Sequence, residues 1–311
     1  MNRKTIRLAA VLGLAVSASA GAARASGPRA EAVAASSCGL GVNLSVVGRL
    51  IGAADTLYTS TVDVSNNAAT DTQVDFYLDG KNQATSESIH VAGSVSTAGD
   101  LVAVGTGGAM RGRSNAHFDD FIDSLVQSGM LPASIEADGI LGSVMFVFNG
   151  FDKSGEGSAF VRFFSDYGGG TIGQALRGHE ISANEPRAVM AAFRDSRAQS
   201  SGPRLYPNMF INNTGLTSSG QLSAGDTTVH CQAYANSTGQ PVGTPFDLVI
   251  SPGQTVSISD VLRKVAAPPG EDTVLVYATA TSGSATIAGV AVEIDDTTKD
   301  GSVVEMNRAD F

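Results

Sequence analysis

The sequence is short of the side chains from which most catalytic and metal centres are built. Among 311 residues there is no tryptophan, and there are only two cysteines and four histidines. The histidines are scattered and not paired at zinc-ligand spacing, and no Gly-x-Ser-x-Gly motif occurs. Both facts argue against a zinc site and against nucleophilic hydrolysis. The histidines are His90, His117, His179 and His230.

Long apolar runs are also missing, except near the N-terminus. Basic residues there precede the apolar residues 8–16, and small residues follow up to position 25. The pattern is typical of a secretory signal peptide, and the run is shorter than the roughly 20 residues of a spanning helix. We predict a signal peptide over residues 1–25, a flexible lead-in over 26–43 and no membrane span in the mature chain. The predicted location is extracytoplasmic: secreted, periplasmic or at the cell surface.

Basic side chains are scarce relative to acidic ones. The chain has 20 Lys and Arg against 30 Asp and Glu; loss of residues 1–25 removes four basic residues and no acidic ones, which leaves 16 against 30 and a net charge of −14. Such a charge disfavours nucleic acids and anionic membranes as partners. It permits divalent cations, and it is equally consistent with plain solubility.

Both cysteines lie beyond the predicted signal peptide. Cys38 and Cys231 would enter a compartment in which disulfides form, so a bridge between them is one alternative. Cys231 shares a strand face with Val229 and Ala233, which suits a buried thiol equally well. Residues 35–38 resemble a lipoprotein cleavage box only loosely, and they lie too far from the apolar core for a lipid anchor.

The same order of predicted strands, which we call the strand plan, occurs twice along the chain. Residues 46–51 and 57–66 return as residues 189–193 and 205–212, and the order of later elements also matches. A repeat of this length has the size of a domain. Short strands between Gly, Asn, Asp and Ser turns then predict an all-β fold of two tandem antiparallel β-sandwich, immunoglobulin-like domains, each with one short helix. The predicted domains are residues 44–181, which include insertions, and residues 186–311.

The predicted helices come from apolar side chains at helical spacing. Residues 117–126 carry such a pattern in the first domain, and residues 259–265 carry a shorter one in the second. Ser114 or Asn115 is the predicted N-cap of the first helix, and Gly129 its C-terminal stop.

The last strands of each domain are predicted to pair as a hairpin. Residues 144–148 and 159–164 flank a turn rich in Gly, Asp and Ser, and residues 274–278 and 287–294 flank a Ser-Gly-Ser turn. Strand-forming runs separated by such turns indicate hairpins.

With these segments in view, the chain resembles uncharacterised secreted bacterial proteins built from tandem immunoglobulin-like β-sandwich domains. The resemblance is carried by residues 58–66, 118–121, 162–174 and 292–296, which span most of the mature chain. It implies an extracytoplasmic location and a fold, and it implies no reaction.

An acidic turn supplies the main metal candidate. Asp296, Thr298 and Asp300 with Gly301 imitate the opening of a calcium loop, but Asn307 stands where a bidentate glutamate is needed. A plain turn explains the same residues, since turns favour Asp and Gly. Calcium is therefore the one cofactor left open, and we otherwise predict none.

Two further acidic groups are weaker candidates. Residues 152–156 carry Asp, Ser and Glu at alternate positions, without the later ligand. Asp119, Asp120 and Asp123 lie on the polar side of the first predicted helix, where a solvated helix face is the ordinary explanation.

The predicted function is a non-enzymatic, structural, surface or adhesion role, with an unidentified extracellular or cell-surface partner. One alternative is a carbohydrate- or calcium-binding module, and another is a hydrolase whose site is dispersed in sequence. A pocket that gathers Asp119, Asp120, His117 or Arg162 would favour the hydrolase. A flat strand face with two exposed tyrosines would favour glycan binding.

A pair of tyrosines also looks structural. Tyr58 and Tyr206 fall at matching places in the two copies of the strand plan. We therefore interpret them as a repeated position of the fold and not as a ligand platform.

Overall fold

The computed structural model describes an all-β protein. It covers residues 39–51, 57–167, 170–181, 187–197, 202, 204–217, 225–270, 273–295, 301–304 and 306–308. The strands of the described residues pair antiparallel, as the sequence predicts. Within the described part of the chain, no helix is both long and apolar enough to cross a membrane.

The first unit, as we call strands β1–β10, has ten strands and two short helices in its described residues. The strands are β1 Gly39–Ile51, β2 Leu57–Asn66, β3 Val74–Asn82, β4 Ser88–Val95, β5 Leu101–Val102, β6 Ser114–Phe118, β7 Ile140–Asn149, β8 Gly157–Tyr167, β9 Gly170–Arg177 and β10 His179–Ile181. The helices are α1 Phe121–Gln127 and α2 Ile135–Asp138.

Strand β1 joins the two layers of this unit. Its main part pairs with β7 and β10, and after a bulge between Leu44 and Val47 its end pairs with β2. The main path is β5-β4-β3-β7-β1-β2-β8-β9, with β10 on β1 and β6 on β2. A bulge increases local twist, so one long sheet can fold back on itself. Inward side chains of both layers share one core.

The core of the first unit is built around aromatic rings. Phe76, Phe121 and Phe146 are fully buried and meet at centroid distances of 5.8 Å and 6.1 Å in edge-to-face geometry. Phe121 comes from α1, so the amphipathic helix closes the core between the layers. Each buried phenylalanine contributes about 1.5–3 kcal/mol through the apolar surface that it removes from water.

The second unit, strands β11–β19, forms two separate sheets around a core of its own. Their orders are β14-β13-β16-β11-β19 and β15-β12-β17-β18. The strands are β11 Ala188–Arg194, β12 Leu205–Thr217, β13 Thr227–Ala235, β14 Pro241–Ile250, β15 Thr255–Ile258, β16 Thr273–Ala280, β17 Ala285–Asp295, β18 Gly301–Val304 and β19 Asn307–Arg308. Helix α3 is Val261–Lys264.

The two units share one pairing plan. The ladders β1–β7, β7–β3, β3–β4 and β1–β10 recur as β11–β16, β16–β13, β13–β14 and β11–β19. The ladders β2–β6, β2–β8 and β8–β9 recur as β12–β15, β12–β17 and β17–β18. Among the described strands, no ladder joins one unit to the other. The domain bounds 44–181 and 186–311 stay predictions.

Both predicted hairpins are wrong. Strand β7 pairs with β1 and β3, whereas β8 pairs with β2 and β9. In the second unit, β16 and β17 lie in different sheets. The turn residues are real, but each turn carries the chain across the core to the other layer. Glycine and aspartate ease a reversal of the chain in either case, so their presence cannot distinguish the two connections.

Three local expectations also change. The N-cap of α1 is Asp120, whose side chain accepts a hydrogen bond from the Asp123 amide, while Ser114 and Asn115 lie in strand β6. Gly129 does follow the helix with a φ of 75°. The short helix α2 was not expected, so the first unit carries two helices. Strand β1 already begins at Gly39, inside the predicted lead-in.

The tyrosine match is wrong by one residue. Val62 lies opposite Phe118, and Met209 lies opposite Ile258. Phe118 and Ile258 each lie two residues before the aspartate that caps the next helix, so Val62 and Met209 occupy matching positions. This register makes Leu205 the counterpart of Tyr58. Since a one-residue slip turns a side chain to the other face, Tyr58 and Tyr206 point to opposite sides of their sheets.

Candidate functional site

The junction between the units covers two of the four outer sheet faces, one from each unit. Asn43 of β1 donates from Nδ2 to Oδ1 of Asn212 in β12 at 3.2 Å, and Asn212 donates from Nδ2 to Ser143 Oγ of β7 at 3.0 Å. Ser143 Oγ in turn donates to the Gly253 carbonyl at 2.7 Å. The three side chains are at most 1% exposed. Their bonds therefore form away from water, where an unpaired amide would be costly.

Apolar contacts extend this junction. Tyr77, Met145 and Val147 from the outer side of β3 and β7 form a buried cluster with Leu216 of β12. Burial, with the nearby Asp75 charge, raises the pKa of Tyr77 to about 12. The outer side of β12 and β15 is thus docked onto the outer side of β1, β7 and β3.

A second outer face remains exposed in the first unit. We call it the Phe160 face, the outer side of strands β6, β2, β8 and β9. Direct cross-strand partners place His117, Asp63, Phe160 and Arg177 in one row across these strands. The Phe160 side chain is 42% exposed at the centre of that row. The face consists of Thr61, Asp63, Ser65, Asn115, His117, Phe160, Arg162, Ala175 and Arg177.

Hydrogen bonds hold the acidic side of this face. His117 Nδ1 lies 2.8 Å from Asp63 Oδ1, and His117 Nε2 lies 3.0 Å from Asp119 Oδ1. Asn115 also donates to Asp63 Oδ1 at 3.1 Å and accepts from Ser65 Oγ at 2.8 Å. The bonds to Asp63 and Asp119 raise the pKa of His117 above its ordinary value. Both ring nitrogens face carboxylates, so this histidine is not arranged as a general base for a hydroxyl nucleophile.

The basic side of the face carries two exposed guanidinium groups. Arg162 lies over the Phe164 ring, 5.1 Å from its centroid. Arg177 lies on β9 at the end of the central row. No described carboxylate forms an ion pair with either arginine. The face therefore presents both signs of charge around an apolar centre, and β18 of the second unit borders it at β9.

The remaining outer face, half exposed, lies on the second unit. We call it the tyrosine face, the outer side of β11, β16 and β13, formed by Met190, Ala192, Gln232, Tyr234, Leu275 and Tyr277. Tyr234 and Tyr277 meet edge to face with a centroid distance of 5.2 Å. On the same side of β13, His230 Nδ1 lies 2.7 Å from Asp247 Oδ1. This is a flat, mixed aromatic and polar surface.

Most of the residues predicted to bind calcium or form a disulfide lie outside the described part of the chain. Asp296, Thr298 and Asp300 lie outside the described residues, as does Cys38. Cys231 is fully buried in the second core, where burial, with a smaller effect of Asp247, raises the pKa of its thiol to about 12. Within the described ranges, no three His, Cys, Asp or Glu side chains are grouped so that they could hold a metal ion.

The helix aspartates have separate roles. Asp120 caps α1 and forms an ion pair with Arg49, Asp123 accepts from Gln127 at 2.6 Å, and Asp119 contacts His117. Only His117, Asp119 and Arg162 share a surface, the edge of the Phe160 face. That surface is an open strand face, not a pocket that gathers the three groups.

The 152–156 turn has a structural explanation. Glu180 accepts from Ser154 Oγ at 2.5 Å and from the Gly155 amide at 2.9 Å. Its oxygens therefore fasten the turn to β10.

The Phe160 face could not be predicted from the sequence, for a clear reason. In β8, both alternating phases contain apolar side chains: Ala159 and Val161 point inward, and Phe160 and Phe164 point outward beside the polar Arg162. Period-two patterning identifies a face only when the two phases differ in polarity. The exposed position of Phe160 follows from register with Asp63, which the sequence does not reveal.

Comparisons with known proteins supply no family. No family model matches the chain, and no curated protein matches it. Among solved structures, the apo form of Pleurotus ostreatus lectin matches with a TM-score of 0.19 and 8% identity, over 88% of this chain and 75% of that one. A similarity at this TM-score carries no argument about fold or ligand.

Proposed function

We propose that this protein is an extracytoplasmic, non-enzymatic tandem β-sandwich with a structural or adhesion role at the cell surface. The observation that carries the proposal is the Phe160 face, an open strand surface with an exposed aromatic ring between acidic and basic side chains. Exposed apolar groups rimmed by polar ones are typical of contact surfaces between macromolecules.

The buried junction supports the same role. Buried hydrogen bonds link the two units, through the side chains of Asn43, Ser143 and Asn212. A junction of this kind limits relative motion of the units, because any opening exposes amide groups that must find new partners. A stiff body with open outer faces suits a structural surface protein.

Cell fractionation tests this proposal. We expect the protein in the extracytoplasmic fraction, with an N-terminus near residue 26 by mass spectrometry. Labelled mature protein, added to cells that lack it, should be retained on their surface in a saturable manner. Recovery of the full-length chain from the cytoplasm, or no retention on cells, would contradict the proposed role.

The tyrosine face favours a second candidate, a carbohydrate-binding module. Tyr234 and Tyr277 lie beside the polar Gln232 and near the His230–Asp247 pair. Aromatic rings pack against the apolar faces of sugars while polar neighbours bond hydroxyls. Affinity electrophoresis in polysaccharide gels should then show retardation that Tyr234→Leu reduces. The control Tyr206→Leu, at a ring on another face, should leave it unchanged.

A further inference from the structure

The junction inside the chain is a contact between two different outer faces of repeated sheets. The second unit contributes the outer side of β12, β15 and β17, where Phe210 and Val290 pack against the first unit and Asn212 and Thr255 bond to it. The first unit contributes the outer side of β1, β7 and β3. One face type therefore docks onto the other.

Each unit also has an exposed face of the type that it does not use in the junction. In the shared pairing plan, β2, β6 and β8 correspond to β12, β15 and β17, so the Phe160 face is the first unit's version of the docking face. Likewise β11, β16 and β13 correspond to β1, β7 and β3, so the tyrosine face is the second unit's version of the receiving face.

The register makes the first correspondence specific. With Val62 matched to Met209, Ser65 takes the place of Asn212 and Asn115 that of Thr255. Asp63 then matches Phe210, and their partners across the ladder are Phe160 and Val290. The exposed Phe160 therefore stands at the position where the second unit packs the partly buried Val290 against the first unit.

Asn66 and Asn213 support this register independently. Each lies at the same end of its strand, and its Oδ1 accepts from the backbone amide two residues later, Ala68 N at 3.1 Å and Gly215 N at 2.9 Å. Each also donates from Nδ2 to backbone carbonyls of a neighbouring segment. The matched positions thus share local geometry as well as strand pairing.

We propose that a second copy of this chain binds here, with the Phe160 face of one copy seated on the tyrosine face of the next. This proposal of self-association rests on the proposed structural role, and it explains how copies of the chain would build a structure. The contact repeats an interface that the chain already makes within itself. It joins unlike faces, so it is heterologous and yields head-to-tail assemblies, which are rings if the rotation between copies closes and open chains if it does not.

The chemistry of the two faces suits such a contact. Phe160 supplies an exposed apolar anchor, and Met190, Leu275 and the half-exposed Tyr277 supply an apolar surface to receive it. Asp63 and Arg177 flank Phe160, so the Phe160 face presents no single-sign barrier to a second copy.

Sedimentation velocity of the mature protein across a concentration series tests the proposal, with variants of each face. Phe160→Thr removes the anchor, and Ala192→Arg places a bulky charge on the tyrosine face. Each should weaken association at least about tenfold, a loss of about 1.4 kcal/mol. The matched controls Val104→Thr and Ala84→Arg, at exposed positions outside both faces, should assemble like the wild type.

Mixing the two face variants gives the decisive measurement. The Phe160→Thr protein keeps an intact tyrosine face, and the Ala192→Arg protein keeps an intact Phe160 face. At concentrations where the wild type assembles, each variant alone should be mainly monomeric, whereas their mixture should form a one-to-one dimer that does not extend. Circular dichroism and thermal unfolding of each variant establish that it is folded.

Two outcomes would overturn the proposal. One is a wild type that stays monomeric up to about 1 mM, the range of the weakest specific association. The other is assembly that Phe160→Thr abolishes and Ala192→Arg leaves intact, which indicates like faces in a symmetric dimer. Cell-surface retention of monomeric protein would preserve the structural or adhesion role while the self-assembly mechanism fails.

Discussion

Replacement of Asn212 by alanine should destabilise the whole protein through the junction. The substitution removes the acceptor of the Asn43 amide and the donor to Ser143 Oγ. The Asn43 amide then keeps only a long bond of 3.4 Å to Ser45 Oγ. A buried amide that loses its better partner costs about 1–3 kcal/mol, and the small cavity adds roughly 1 kcal/mol. We expect a loss of roughly 2–4 kcal/mol, which lowers the Tm by roughly 4–16 °C at this chain length.

Urea unfolding by circular dichroism and tyrosine fluorescence measures this loss, and a double-mutant cycle with Asn43→Ala isolates the contact between the units. The neighbouring Asn213 is a matched control because it is equally buried but bonds within the second unit, to Ile250 O and the Gly215 amide. Asn212→Ala should couple to Asn43→Ala by at least about 0.5 kcal/mol, while Asn213→Ala should be additive with it. Additive behaviour of both would refute the hydrogen-bonded junction.

Three titration and reactivity predictions follow from the buried and paired groups. Because Asp63 raises the pKa of His117 above 6.5, its stabilising pairing should be complete below pH 6.5 and lost as pH rises through the folded value. An NMR titration midpoint at or below 6.5 would contradict this. Burial raises the pKa of the Cys231 thiol to about 12, so iodoacetamide should modify it only after unfolding. If modification then also requires reductant, Cys231 is bridged to Cys38. Burial also raises the pKa of Glu293 above 4.5, so Glu293 favours folding below pH 4.5 and loses that contribution as pH rises through the folded value. Glu293→Gln should therefore increase the urea midpoint at about pH 7 and leave it nearly unchanged at about pH 3.

Sequence patterns predicted the types of secondary structure better than they predicted which strands pair. The all-β class and α1 follow from periodicity, which depends on burial of alternate or helically spaced side chains. Which strands pair does not follow from periodicity, because the turns after β7 and β16 suit a hairpin and a crossing between layers equally. The predicted hairpins fail for that reason.

The candidate site was less predictable than the fold. His117, Asp119 and Arg162 were named from the sequence, but Phe160 and Arg177 join them only through the β2–β8 and β8–β9 registers. A cross-strand row is a long-range property, set by the packing of several strands. The mistaken match of Tyr58 with Tyr206 shows how a one-residue error reverses the face to which a side chain belongs.

The duplicated plan explains why corresponding faces have different fates. At matched positions of β2 and β12, the first unit has Ser65 where the second has Asn212. The longer Asn212 amide reaches Asn43 and Ser143 across the junction, whereas Ser65 Oγ bonds within its own face to Asn115. A buried amide bonded on both sides favours one fixed contact, because sliding leaves its groups unpaired. The Phe160 face lacks that bridge, so any contact it makes with a second copy should be weaker and more reversible than the junction within the chain.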